Sequence, residues 1–219
     1  QDVLRRAVYE CLGKIGGDVE AVELLLEGAL SHLPSVRQAA ISSLAQVLQH
    51  LDSSARACVK ERLCLLADQG LLEQLAASFV PGNLAQNQAV ISILGLMADP
   101  RGFGMLFSAL ADERLAADAE IALKGFGAAV ITAAVTRFEQ AESAAERAAL
   151  CRFIGSHQEA IEGGAAIRRG LVDASAQVRA AAAYAAARLS DPELPSLVAD
   201  LMDDEDISVR EAALATLRR

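Results

Sequence analysis

An arginine followed two residues later by alanine recurs along this chain at an almost constant spacing. Arg5 and Arg37 are 32 residues apart. Arg147, Arg179 and Arg210 follow one another at intervals of 32 and 31. A fixed period of this length is the signature of repeated supersecondary units, each of which buries its apolar face against its neighbours. The spacing therefore predicts a stack of similar units.

The clearest copy is the alanine-rich stretch 176–191, which reads as a helix. Alanine has the highest helix propensity, Ser175 can cap the first turn, and Pro192 follows as a stop. Val178 and Ala182 fall on one helical face, but side chains this small bury too little apolar area for a helix to stand alone. We therefore expect this helix to be packed closely between neighbouring helices.

The 110 residues between Arg37 and Arg147 must hold weaker copies of the unit. One lies around Asn87 and another around Asp118, whose register the sequence does not fix. The unit at 37–86 is overlong, and its segments 53–67 and 70–80 both read as helical, which predicts an extra helix or a lengthened second helix. We predict a single array over residues 1–219 with about six to seven helical hairpins.

These motifs resemble HEAT repeats. The shared features are Val-Arg-x-x-Ala, a following Leu-Gly, an Asp-Pro turn, and an acidic residue six positions before the arginine, such as Asp173 before Arg179. The short bacterial repeats of phycobilisome lyases are the most similar kind. The resemblance implies an all-α fold, an α-solenoid or superhelix whose second helices line the concave side. The chain departs from the pattern at Ser31, which stands where the acidic partner of Arg37 would be.

Composition agrees with closely stacked helices. The chain is 53% apolar but only 4% aromatic, so its core must consist mainly of alanine, leucine and valine. No signal peptide or membrane span is visible, and the expected location is cytoplasmic. Because the chain lacks an initiator methionine and ends after half a unit, we expect it to be a fragment of a longer protein.

No residue pattern indicates catalysis. Nucleophile, nucleotide-binding and metal-binding motifs are absent, so the sequence favours a protein that is not an enzyme and that carries no metal or cofactor. The cysteines are too widely spaced for a metal or redox motif, and we expect all four to be buried and reduced: Cys11, Cys58, Cys64 and Cys151.

The recurrent arginines are predicted to be structural. Arg37, Arg179 and Arg210 would pair with acidic groups or helix-terminal carbonyls of adjoining units, forming a ladder with Asp173 and Asp204. They are therefore poor candidates for a binding site.

A better candidate surface lies one, five and nine residues after each repeat arginine. In the helix that follows Arg37 these positions are Gln38, Ser42 and Gln46, which point away from the apolar face. The same offsets elsewhere collect Arg6, Glu10, Lys14, Gln88, Ser92, Leu96, Arg152, Ser156, Tyr184, Arg188, Glu211 and Arg219. We select six of these groove residues as partner-binding candidates: Arg6, Lys14, Gln46, Arg152, Tyr184 and Arg188.

The charge of this surface suggests its partner. Five groove residues are basic and two acidic, on a chain whose net charge is −9. A net negative chain with scattered cations is unsuited to nucleic acid. We therefore expect a scaffold or regulatory module that binds an acidic or mixed-charge protein or peptide on its concave face. Two alternatives stay open: an enzyme related to bilin lyases, and a spacer that self-associates through its terminal repeats.

Overall fold

We describe the protein from a computed structural model, over residues 2–15, 19–127, 129–157 and 163–218. The described residues form helices and turns, with no β-strand among them. The α-helices are α1 (Asp2–Ile15), α2 (Val19–Ala29), α3 (Pro34–His50), α4 (Ser53–Leu66), α5 (Leu72–Ser78), α6 (Leu84–Met97), α7 (Phe103–Ala109), α8 (Ala116–Lys124), α9 (Ala129–Gln140), α10 (Ala144–Gly155), α11 (Gly163–Leu171), α12 (Ala176–Ala186), α13 (Leu194–Asp200) and α14 (Ile207–Leu217). The predicted all-α class is confirmed.

The helices form two compact units, the first comprising residues 1–106 and 117–126 and the second residues 107–116 and 127–219. In the first unit α1 packs on α3 and α3 packs on α6. In the second, α10 packs on α12 and α12 on α14, while α11 lies against α12 in a second layer. Each unit is thus a stack of helical hairpins, the solenoid architecture that the repeats predict.

Local sequence sets where these helices begin. Asp52 caps α4 by accepting a hydrogen bond from the amide of Ala55, and Asn83 caps α6 in the same way through the amide of Gln86. Pro34 occupies the first turn of α3, where its missing N–H costs nothing. Ser175 was expected to cap α12, but its side chain makes no capping bond; instead its own amide donates to Asp173.

Two helices, α4 and α5, lie between α3 and α6. They are joined by a wide turn at Ala67–Leu71, in which Gly70 has φ of 96°. Only glycine adopts this backbone conformation without strain. This kink allows three leucines to be buried: Leu66 before the turn, Leu71 within it and Leu75 after it.

The Leu-Gly motif marks the closest approach of successive repeat helices. A methyl group added at Gly95 of α6 would lie 2.7 Å from Cβ of Ala122 on α8. One added at Gly155 of α10 would lie 2.6 Å from Cβ of Ala185 on α12. These contacts exclude any larger residue, which gives the motif a packing role.

The same contact fixes the register of α8, which the sequence left open. Ala122 takes the place of Ala185, which lies six residues after Arg179. Counting back six residues puts Ala116 where the other units have arginine, and the position five residues after it is Ile121.

No described helix combines the length and hydrophobicity that crossing a bilayer requires.

Candidate partner-binding face

The groove residues of the first unit share one side of its repeat helices. Arg6, Glu10 and Lys14 lie on α1 and are exposed. On α3, Gln46 is exposed whereas Gln38 and Ser42 are half-buried. Gln88, Ser92 and Leu96 occupy the same positions on α6. We call this surface of α1, α3, α6 and α8 the unit-1 face.

The unit-1 face contains a polar depression of about 330 Å³, which we call the glutamine pocket. Its sides are α1 and α3, and one residue of α6 reaches it. The lining residues are Arg6, Glu10, Lys14, Ser35, Gln38, Ala39, Ser42, Ser43, Gln46 and Gln86. Three of the six candidates chosen from the sequence, those in the first unit, are therefore brought together.

The rim of the glutamine pocket carries one net positive charge, from Arg6 and Lys14 against Glu10. Arg6 donates through Nε to Oε1 of Glu10 at 2.7 Å, so these two charges largely offset one another. No carboxylate among the described residues forms an ion pair with Lys14. Lys14 is accordingly the cation that an incoming anionic group would meet.

Gln86 lies at the inner end of the pocket and is only 3% exposed. Its Oε1 accepts a hydrogen bond of 2.8 Å from the hydroxyl of Ser42. Its Nε2 is buried and has no hydrogen-bond partner in the part of the chain that the structure describes. A buried donor without a partner costs about 1–3 kcal/mol, so native structures rarely retain one without reason.

A second depression of about 320 Å³, the apolar pocket, lies beside α6 and α8. Its apolar lining includes Leu48, Ile91, Leu96 and Ile121, and Ile121 is 67% exposed. Polar groups stand around it, among them Gln49, Arg56 and Ser92. Gln88 donates through Nε2 to Asp118 at 2.8 Å, which joins α6 to α8 at the edge.

The second unit carries its own row of groove residues. Arg152 on α10, Tyr184 on α12 and Arg188 just after α12 are all exposed, Tyr184 by 52%. Glu211 is exposed on α14. Arg219, which the same offsets select, lies outside the described residues. Cationic and aromatic side chains of this kind are enriched in protein interfaces.

The ladder residues follow a regular geometry inside the second unit. Arg179 forms two hydrogen bonds of 2.8 Å with the carboxylate of Asp204, and its Nη1 donates to the carbonyls of Asp173 and Ala174. Arg147 pairs with the carboxylate of Asp173 in the same bidentate way, at 2.7 and 3.0 Å. Arg210 donates to the carbonyls of Asp204 and Glu205.

This geometry corrects the assumed partner of each arginine. The backbone carbonyl of the aspartate six residues before an arginine accepts a hydrogen bond from that arginine. The side chain of the same aspartate pairs with the arginine of the preceding repeat. By this pattern Ser31 stands where the side-chain partner of Arg5, not that of Arg37, would be. Arg37 still donates to the carbonyl of Ser31 at 2.9 Å, and its Nε donates to the hydroxyl of Ser78.

The ladder also sets the charge state of its aspartates. Hydrogen bonds from Arg147 hold the pKa of Asp173 below its ordinary value of 3.8, and those from Arg179 do the same for Asp204. Burial opposes both shifts but is the weaker effect. Because the ladder groups already satisfy one another, they are structural and offer a partner little.

The expectation that all four cysteines are buried is wrong for two of them. Cys11 and Cys58 are exposed, Cys64 is half-buried, and Cys151 is buried. Burial raises the pKa of the Cys151 thiol to about 12 and so disfavours a nucleophilic thiolate there. Within the described ranges no three His, Cys, Asp or Glu side chains come together as a metal site would require.

Comparisons with known proteins found similarity only to solved structures, and that similarity is low. No protein-family model matches it, and no curated protein does. Human deoxyhypusine hydroxylase in complex with glycerol is 21% identical with a TM-score of 0.44, over 100% of this chain and 79% of that one. A designed armadillo repeat protein is 18% identical with a TM-score of 0.43, over 89% and 97% of the two chains. An engineered protein is 18% identical with a TM-score of 0.43, over 90% of this chain and 97% of that one.

These matches change one expectation without assigning a function. The sequence favoured a protein that is not an enzyme, and this is corrected because a similar structure belongs to a hydroxylase. The helical fold is therefore no ground for excluding catalysis. None of the three structures is a bilin lyase, so kinship with the lyase-type repeats stays a prediction.

Several residues of the unit-1 face were not among the candidates chosen from the sequence, and Gln86 and Ile121 are the most informative of them. Gln86 stands directly before Asn87, which occupies the arginine position of its repeat. The repeat pattern predicts a core residue at position 86, but Gln86 reaches the glutamine pocket from the first turn of α6. Ile121 was not selected because α8 lacks the arginine from which the repeat positions are counted. The available signal for Gln86 was a glutamine at a predicted core position. The available signal for Ile121 was an isoleucine that faces away from the apolar stripe of α8.

Proposed function

We propose that this protein binds an extended segment of a partner protein along the unit-1 face, and that the second unit contributes a binding surface at Arg152, Tyr184 and Arg188. The observation that supports this most directly is the pairing of a polar and an apolar pocket on adjacent repeat helices, both bordered by groove residues. Clefts that combine an apolar lining with a few convergent polar groups are the usual form of a binding site.

The charge and hydrogen-bonding groups favour a protein partner. Gln38, Gln46, Gln49 and Gln88 offer both donors and acceptors, which suits the alternating N–H and C=O groups of an extended peptide backbone. Nucleic acid would need a track of cations, whereas the lining of both pockets provides only Arg6, Lys14 and Arg56. The proposed partner is therefore acidic or of mixed charge. The cytoplasmic location stays a prediction.

A random linear peptide library tests this proposal. Peptides selected on the wild-type protein would be measured by fluorescence anisotropy against Lys14→Glu in the first unit and against Arg152→Glu/Arg188→Glu in the second. We expect at least one of these variants to weaken binding by about tenfold, since each reverses charge on a proposed surface. Lys60→Glu is the matched control, because Lys60 is an exposed lysine of α4 outside both surfaces.

Other results would contradict the proposal. Peptides that bind every variant as tightly as the wild type would place the site elsewhere on the chain. A protein that captures no peptide, yet sediments as a larger species with rising concentration, would favour the self-association alternative.

A further inference from the structure

The glutamine pocket holds a buried hydrogen-bond donor for which the described residues provide no acceptor. The amide of Gln86 is fixed at one end by Ser42, and exchanging its nitrogen and oxygen would still leave one end without a partner. The pocket therefore contains a polar group whose cost a ligand can offset.

The surroundings of Gln86 select an anionic acceptor as that ligand. Lys14 has no carboxylate partner among the described residues, and Ser35 and Ser43 line the same pocket. A dianion such as phosphate would face Glu10 and only one net positive charge, whereas a single carboxylate matches that charge. The pocket chemistry is thus that of a carboxylate site.

The apolar pocket lies at a defined distance along the same face. Most of the lining of the glutamine pocket belongs to α1 and α3, and most of the lining of the apolar pocket belongs to α6 and α8, so these main linings lie about two helix spacings apart. Packed helices are about 8–10 Å apart, which gives roughly 16–20 Å. An extended chain covers this distance in about five or six residues, at roughly 3.3 Å per residue.

Building on the proposed function, we infer that the partner segment carries an aspartate or glutamate that enters the glutamine pocket, and an apolar side chain about five or six residues away that enters the apolar pocket. Gln86 and Lys14 bind the carboxylate. Leu96 and Ile121 cover the apolar side chain. The segment runs extended across α3 and α6 between them.

A set of defined peptides tests this inference. Each would be twelve residues of glycine, serine and alanine with one glutamate and one leucine, separated by two to nine positions in both orders. We expect the tightest binding at about five or six positions, and about tenfold weaker binding when glutamine replaces the glutamate. In Gln86→Met the preference for glutamate over glutamine should fall from about tenfold to about threefold, because Lys14 still attracts the carboxylate, while the preference for leucine remains.

The controls separate this inference from the proposed function. Methionine resembles glutamine in volume and removes a buried donor without a partner, so Gln86→Met should melt no lower than the wild type. A glutamate preference unchanged in Gln86→Met, or an affinity independent of spacing, would overturn the inference even if library peptides respond to Lys14→Glu. Free glutarate that binds as tightly as the best peptide would overturn the assignment to a partner segment.

Discussion

At the scale of single residues, the arginine ladder explains why the repeat motif has the composition it has. Arg147 and Arg179 each donate to two carbonyls at the end of the preceding turn and to the carboxylate of an aspartate in the next repeat. Arg179, at 9% exposure, does this with all of its side-chain nitrogens. One side chain thereby closes a turn and links two successive repeats.

We predict that Arg179→Ala destabilises the protein by about 3 kcal/mol, because it leaves the buried carboxylate of Asp204 without its cation. Urea unfolding of the variant beside the wild type measures this. Arg114→Ala is the control, since Arg114 pairs with Asp112 at the surface and its loss should change nothing measurable. Equal effects of the two substitutions would contradict the structural role of the ladder.

The ladder also predicts how stability depends on pH. The folded-state pKa values of Asp173 and Asp204 are lowered, so the folded protein binds these protons less tightly than the unfolded chain. Their contribution is complete above the ordinary pKa of 3.8 and is lost as the pH falls through the lowered values. The melting temperature should fall less steeply below pH 4 in Asp204→Asn than in the wild type. Glu113→Gln, an exposed carboxylate outside the ladder, should leave the wild-type slope unchanged.

At the scale of helices, the close approaches of α6 to α8 and of α10 to α12 determine the spacing of the stack. A glycine on one helix meets an alanine on the next at a distance that admits no side chain. Alanine-rich helices such as α12 bury little area each, and their stability comes from this tight packing on both sides.

We predict that Gly155→Ala costs about 2 kcal/mol, because the new methyl group would lie 2.6 Å from Cβ of Ala185. Combining it with Ala185→Gly should recover part of that loss, as a double-mutant cycle by chemical denaturation would show. Gly104→Ala on α7 should cost nothing, since a methyl group there meets no atom within 4 Å. A cycle without coupling would mean that α10 and α12 are not in contact at this point.

Much of the helix arrangement was predictable because arginine spacing and alanine content are local signals. The offsets from the repeat arginines selected six of the nine residues of α1 and α3 that line the glutamine pocket and missed Ser35, Ala39 and Ser43. The partners within the ladder were not predictable, since an aspartate near an arginine in sequence pairs with a different arginine in space. The burial of Gln86 depends on how α6 meets α3, and the sequence of neither helix encodes that geometry alone.

At the scale of the whole molecule, a negatively charged chain presents a small region of opposite sign. The net charge is −9, whereas the lining of the glutamine pocket carries a net charge of +1. Such a contrast guides an anionic segment towards the pocket and away from the rest of the surface. The unit-1 face, which contains this pocket, is the surface that we propose receives the partner.

The most direct test follows the glutamine side-chain amides by NMR while a library-selected peptide is added. Gln38, Gln46, Gln49, Gln86 and Gln88 line the two pockets, so their amide resonances should shift on binding. Gln69, Gln74 and Gln140 are absent from both pocket linings and serve as internal controls. Shifts confined to the first group would support the account. Shifts in the control glutamines, with none at Gln86 or Gln46, would contradict it.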